Sequence, residues 1–302
     1  MRQAERTGIV CALAGFTMLS LGDAVVKTMA GMWSPVAVAA LRLAFGAAGL
    51  SLILLLGQGP RAFRPSHPWL QVARGACLAG VTLCFFSAVF VLPLAETMAL
   101  TFVAPIFTAL LAGPLLGERV RPVVWVASLI ALGGVLLVLR PNLAEVGAVA
   151  FLPLGAAAFF SLMVIANRAS SGQGSTLSMQ VFIVSVAAPI LALAALGGHA
   201  AGIEALRIGP PHWSVIARCA LVAVTASIAH WLIYLGTTRA GASTVAPMTY
   251  VQMIVASALG WLVFGDVPDA ATIAGAAVII GAGLLLWWRT PPGVQPPARQ
   301  AD

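Results

Sequence analysis

The sequence predicts an all-α integral membrane protein of ten transmembrane helices arranged as two inverted five-helix repeats, and three observations carry that prediction. The 302 residues are 61% hydrophobic and only 8% charged, with a mean hydropathy of +1.01, a composition far from that of soluble globular domains. Ten apolar runs can be counted, each near the roughly 20 residues that cross about 30 Å of hydrocarbon at 1.5 Å per residue. Barrel strands would instead alternate apolar and polar residues over about ten positions. The third observation is that the second half of the chain repeats the first.

The spans begin near Gly8, Pro35, Leu70, Leu94, Pro122, Val146, Thr176, His212, Gly241 and Ala270. Arg2 and Arg6 ahead of an apolar run resemble a signal peptide, but this run is long and carries Asp23 and Lys27. Nine further spans follow, so it reads as an uncleaved first helix. Loops of real length are expected only at 60–68 and 197–211, and the Pro- and Gln-rich stretch 290–302 reads as a disordered cytoplasmic tail. Net charge is +7, and its sidedness matters more than its sign. With the N-terminus inside, Arg2, Arg6, Arg61, Arg64, Arg74, Arg119, Arg121, Arg168, Arg239, Arg289 and Arg299 fall on the cytoplasmic side, against Lys27, Arg140, Arg207 and Arg218 outside. Both termini are therefore expected in the cytoplasm of a multi-pass protein of the cytoplasmic (inner) membrane. Trp33, Trp213 and Trp261 near outer ends, and Trp69, Trp125, Trp287 and Trp288 near inner ends, form the expected aromatic belts; only Trp231 sits deeper. Cys11, Cys77, Cys84 and Cys219 all fall inside spans without a CxxC, which points to packing rather than disulfides or zinc.

The segment 98–118, MALTFVAPIFTALLAGPLLGE, aligns without gaps on 246–266, APMTYVQMIVASALGWLVFGD, at an offset of 148. Thr101 falls on Thr249, Phe102 on Tyr250, Gly117 on Gly265 and Glu118 on Asp266, and in the next helix Gly133 falls on Gly281. Ala73-Arg74 matches Ala217-Arg218 at an offset of 144, and Ser20 and Lys27 match Ser161 and Arg168 at 141. Five helices per unit is odd, so the second copy enters the membrane from the opposite side. Two such halves, residues 8–140 and 146–289, can open a shared central site first to one face and then to the other, which implies carriage of a solute. Glu118 and Asp266 are expected to cap the helices that follow them, and Ala127, Gly133, Gly275 and Gly281 to permit close approach of helices 5 and 10.

The ten-helix tandem layout and the helix-ending phrases Pro-Leu-Leu-Gly-Glu118 and Leu-Val-Phe-Gly-Asp266, each followed by a Gly-rich span, resemble the drug/metabolite transporter superfamily, EamA type. The resemblance covers Gly8 to Arg289 and implies a secondary transporter built of two EamA repeats. Asp23-x-x-x-Lys27 followed by Arg42 is similar to carriers for uptake of S-adenosylmethionine or riboflavin. The family contains both importers and exporters, so export of amino acids, metabolites or drugs stands as the alternative. A homodimer is compatible with the resemblance, and nothing in the sequence decides it.

Three charges interrupt the first two spans. Each costs roughly 2.5 to 3.5 kcal/mol at mid-helix, so Asp23, Lys27 and Arg42 require an interior polar arrangement. Asp23 and Lys27 share a helix face, and Asp23 and Arg42 both lie roughly 10 Å below the outer surface, where a salt bridge between them is the structural expectation. The functional expectation leaves one surplus cation for a carboxylate-bearing substrate, or an outer gate in which Lys27 pairs with Glu96. Glu96 as a plain helix-start acid is the simpler alternative. His230, Trp231 and Tyr234 on helix 8, with Tyr250 and Gln252 on helix 9, are candidates to stack on and hydrogen-bond a planar substrate, against the alternative that His230 only packs. Thr82, Thr97, Thr101, Ser161 and Thr249 are candidate cavity hydroxyls that could equally join helices.

The sequence holds no G-x-x-x-x-G-K-[ST] loop for ATP, and Gly241-Ala242-Ser243-Thr244-Val245 lacks the closing Gly of a nucleophile elbow. No His cluster suits a metal and no filter motif suits a channel, so an intramembrane enzyme or a channel are remote alternatives. No catalytic residue, metal, cofactor or nucleic-acid partner is expected. The expected partners are a small-molecule substrate and the bilayer, with protons as the candidate coupling ion titrating on Asp23 or Glu96.

Overall fold

The computed structural model describes residues 2–116, 122–170, 173–240 and 245–289. Among them every regular element is helical: α1 (Arg2–Lys27), α2 (Pro35–Gln58), α3 (Pro68–Val89), α4a (Leu94–Thr101), α4b (Ala104–Leu116), α5 (Pro122–Val146), α6 (Leu152–Ala169), α7 (Thr176–Ala200), α8 (Trp213–Ala240), α9 (Val251–Phe264) and α10 (Ala270–Arg289). These make ten spans, eight of them long and apolar enough to cross a membrane and two shorter. Local chemistry sets the ends. Proline opens α2, α3 and α5, where its missing N–H is no loss. Gly265, at φ 72°, closes α9 by placing its own N–H on the Trp261 carbonyl and that of Asp266 on the Gly260 carbonyl.

The fourth span is broken at Phe102-Val103. Pro105 has no N–H for the Thr101 carbonyl one turn earlier, so the helix interrupts there. The ninth span starts with a 3-10 turn, Ala246–Tyr250, before α9. Phe102 and Tyr250, matched in the sequence repeat, meet edge to face with centroids 5.4 Å apart.

Helix pairing follows the repeat. α1 packs on α8 and α3 on α6, α3 on α7 and α2 on α8, α4b on α6 and α1 on α9, while α2·α7, α4a·α9 and α5·α10 pair across the middle. Exchanging spans 1–5 with spans 6–10 maps this set onto itself. The correspondence reaches single atoms: Ser20 Oγ donates to the Gln252 carbonyl at 3.1 Å and Ser161 Oγ to the Ala104 carbonyl at 2.8 Å. The offsets of 141 and 148 carry the first bond onto the second. Likewise Arg218 Nη1 donates to the Thr28 carbonyl at 2.9 Å, and Arg74 Nε to Asn167 Oδ1 at 2.6 Å, each near the C-terminal end of the first helix of a half.

Small residues allow the close pairs. A Cβ on Gly15 would lie 2.8 Å from the Ala229 carbonyl oxygen and 2.7 Å from Ile233 Cγ1, so α1 and α8 touch backbone to backbone. At the α5·α10 crossing the close approach is made by Gly134 and Gly275, where an added Cβ would meet the other residue's carbonyl oxygen at 2.7 Å. This corrects the expectation for Gly133 and Gly281, which face open space. For Gly133 the error is one residue in register, enough to turn a glycine away from the crossing, while Gly275 lies at the crossing as expected.

Candidate functional site

The charged trio divides. Lys27, at the C-terminus of α1, places Nζ 2.5 Å from Asp266 Oδ2 and 3.1 Å from the Leu92 carbonyl oxygen, and lies 5.0 Å from the Phe264 ring centroid. One ammonium thus ties α1 to the turn between α3 and α4a and to the end of α9. The pair is largely enclosed, with side-chain exposures of 13% for Lys27 and 27% for Asp266. Two expectations are corrected here. Lys27 does not pair with Glu96, whose Oε1 instead accepts from Thr272 Oγ1 at 3.4 Å. Asp266 does not cap α10: Asp269 does, accepting the Thr272 N–H at 2.7 Å. Hydrogen bonding from Thr272 to Asp269 holds the Asp269 carboxyl below its ordinary value of 3.8. Glu118, expected to cap α5, lies outside the described residues.

Asp23 and Arg42 do not close the salt bridge expected of them. They are near enough for their charges to act on one another, yet no ion pair or hydrogen bond joins them. Arg42 sets its guanidinium 5.3 Å from the Phe86 ring centroid on α3, a cation–π contact that no sequence pattern locates. Both charges lie deep in the bundle, and both keep some accessible surface. Deep placement with residual exposure suits the wall of an internal space better than a lipid-facing surface, and makes Asp23 and Arg42 candidates for such a wall.

His230 is the third member of that wall: it is surrounded by protein, exposed, and within electrostatic range of Arg42. Its Nδ1 lies 2.6 Å from the Ala226 carbonyl oxygen, and since a carbonyl can only accept, Nδ1 carries the proton. When the ring is neutral, Nε2 is then its acceptor. Trp231 is turned away, on the exposed stripe Leu221, Val224, Ile228, Trp231 that faces outward from the bundle. Tyr234 is 45% exposed on the His230 side of the helix.

The remaining candidates are engaged in packing contacts. Tyr250 is wedged between Phe102 and Gly283, where an added Cβ would lie 2.0 Å from the phenol oxygen. Gln252 donates to Thr249 Oγ1 at 3.1 Å on its own span. Thr97 and Ser161 are fully buried, and both donate to backbone carbonyls, as do Thr82 and Thr101. Ser161 in particular satisfies the Ala104 carbonyl beside the break in span 4.

Residues 6–140, covering spans 1–5, match the EamA-like transporter family. That half of the chain is similar to the EamA-like transporter family. The fold is shared with a solved crystal structure at a TM-score of 0.62 and 22% identity, over 96% of this chain and 99% of that one. Similar curated proteins include the pseudopaline exporter CntI of Pseudomonas aeruginosa, 28% identical over 93% of this chain and 96% of that protein. The riboflavin transporter of Rhizobium johnstonii is 27% identical over 78% and 76%, and the S-adenosylmethionine uptake transporter of Rickettsia prowazekii 23% identical over 92% of each. The chain is thus a multi-pass membrane protein similar to proteins named as transporters, an exporter and an uptake transporter among them.

Proposed function

We propose that the chain is a secondary transporter that moves a small polar organic molecule across the cytoplasmic membrane by alternating access, with residues 8–140 and 146–289 as the two exchanging halves. The observation that carries this reading is the symmetric contact set. Two halves that use the same contacts in opposite orientation can trade conformations at little net cost, and one end of the bundle is already closed by Lys27 and Asp266. The positive-inside bias makes that end the outer one, with both termini cytoplasmic, so the pair acts as the outer latch. Asp23, Arg42 and His230 form the substrate wall, and Asp23 and Glu96 are the carboxylates proposed to carry a coupling proton.

Uptake of S-adenosylmethionine, riboflavin or a similar compound is the leading assignment, since relatives named for those substrates match over most of the chain. Export is the second reading, favoured by the 28% identity to a pseudopaline exporter. Purified protein in proteoliposomes, assayed with labelled S-adenosylmethionine, riboflavin and pseudopaline in both directions, tests them. Flux of at least one compound is expected, and its absence for all three under any imposed pH gradient would overturn the assignment.

A further inference from the structure

Two acid–base pairs lie near one another at the Lys27 end of the bundle, Lys27–Asp266 and Asp23–Arg42, and of these the first is joined and the second is not. Asp23 lies one helical turn before Lys27, so the same helix presents a satisfied charge and an unsatisfied one about 6 Å apart along its axis. A purely structural Asp23–Arg42 pair would be expected to close as Lys27–Asp266 does, because isolated charges in such surroundings are costly. Arg42 instead sets its guanidinium 5.3 Å from the Phe86 ring centroid and makes no hydrogen bond among the described residues, so its N–H groups are left for a ligand. The opposing Asp23 carboxylate makes no hydrogen bond either.

The engagement of Lys27 by Asp266 also changes the charge of the site. With Lys27 neutralised by Asp266, the groups described at this wall are one carboxylate, Asp23, and one guanidinium, Arg42, with a histidine ring nearby. A plain anion would satisfy Arg42 and be repelled by Asp23; a plain cation would do the reverse. We infer that Asp23 and Arg42 together bind a zwitterionic end group on the substrate, Arg42 taking a carboxylate and Asp23 an ammonium group held between them. His230 Nε2 accepts from a polar donor on the rest of the molecule. This rests on the transporter reading and narrows it to substrates with an amino-acid-type end.

The test is a ligand panel on the full chain in detergent. It comprises the twenty standard amino acids, S-adenosylmethionine and S-adenosylhomocysteine, each paired with its decarboxylated amine and its N-acetyl acid, with riboflavin as the compound lacking such an end. Binding is read as the rise in unfolding midpoint, and transport of every hit is measured in proteoliposomes. At least one zwitterion is expected to raise the midpoint and to cross the membrane. Its amine and its N-acetyl acid should each bind at least tenfold more weakly. Asp23→Asn and Arg42→Gln should lose the shift while keeping the ligand-free midpoint within a few degrees, and Arg42→Lys should recover part of it. A ligand-free midpoint that collapses in both variants would make the pair structural and overturn the proposal. Binding and transport of riboflavin with no zwitterion effective, or hits that tolerate loss of either charge, would overturn the proposal and leave the transporter reading standing. No flux of any compound would count against both.

Discussion

Lys27–Asp266 and Asp23–Arg42 are the same chemistry in two states. Both couple one acid and one base brought together from different helices at the same end of the bundle. The first is joined at 2.5 Å, backed by a carbonyl and an aromatic ring; the second is unjoined, although all four residues are alike partly buried. The difference lies in what each pair links. Lys27 and Asp266 sit at helix ends in opposite halves, so in the proposed cycle their bond would hold the mouth shut and break when it opens. Asp23 and Arg42 belong to adjacent helices of one half, so closing them would occupy the site without gating it. A joined pair across the halves is suited to a latch, and an open pair within one half to a ligand.

The largest effect that bears on this contrast is expected at the open pair. Asp23→Asn or Arg42→Gln should abolish transport, to below about 1% of wild type, with the protein still folded in the membrane; wild-type flux in either would remove the pair from the site. At the latch, Lys27→Ala or Asp266→Ala removes one partner of a mostly enclosed pair, which costs on the order of 1–3 kcal/mol of the closed state. Such variants should shift the protein toward the open end, raising the labelling rate of a cysteine placed at Ser20 roughly tenfold or more. An unchanged rate would mean that the pair does not gate. Gly15→Leu drives a side chain into the Ala229 carbonyl across the α1·α8 contact between the halves. A loss of several kcal/mol is expected, as overpacking against backbone that cannot yield, and it should be seen as a fallen unfolding midpoint. The smallest effect is expected at the α10 cap, where Asp269→Ala should cost about 1 kcal/mol and leave transport intact. The wild-type cap has its own pH signature. Because Asp269 is held below 3.8 in the folded state, its contribution is full well above that value and fades as pH falls through the depressed value. The Asp269→Ala deficit should therefore shrink under acid.

Most of the scaffold was legible in the sequence, because membrane spans are set by length and hydropathy and because the repeat is written in the residues. The offsets taken from Ser20/Ser161 and Ala104/Gln252 describe two hydrogen bonds that the fold makes at equivalent places. Depth along a helix was legible too, which placed Asp23 and Arg42 near one another. What the sequence could not convey was rotation about each helix axis and the partner across a helix gap. That is why Lys27 was matched to Glu96 rather than Asp266, and why Gly133 rather than Gly134 was set at the α5·α10 crossing. A signal for Asp266 was present: helices 1 and 9 end on the same face with opposite charges. Phe86 under Arg42 left no comparable trace, since one phenylalanine in an apolar helix resembles any other.

Charge reversal tests the contrast most directly, by flux of whichever compound the proteoliposome assay shows to be carried. Lys27→Asp combined with Asp266→Lys rebuilds a latch with its polarity inverted and should restore at least a third of wild-type flux lost in the single variants. Asp23→Arg combined with Arg42→Asp rebuilds a pair but presents the wrong charge to each end of the substrate, and should remain inactive. Recovery in the second double variant, or failure of the first in a folded protein, would contradict the assignment of one pair to the gate and the other to the ligand.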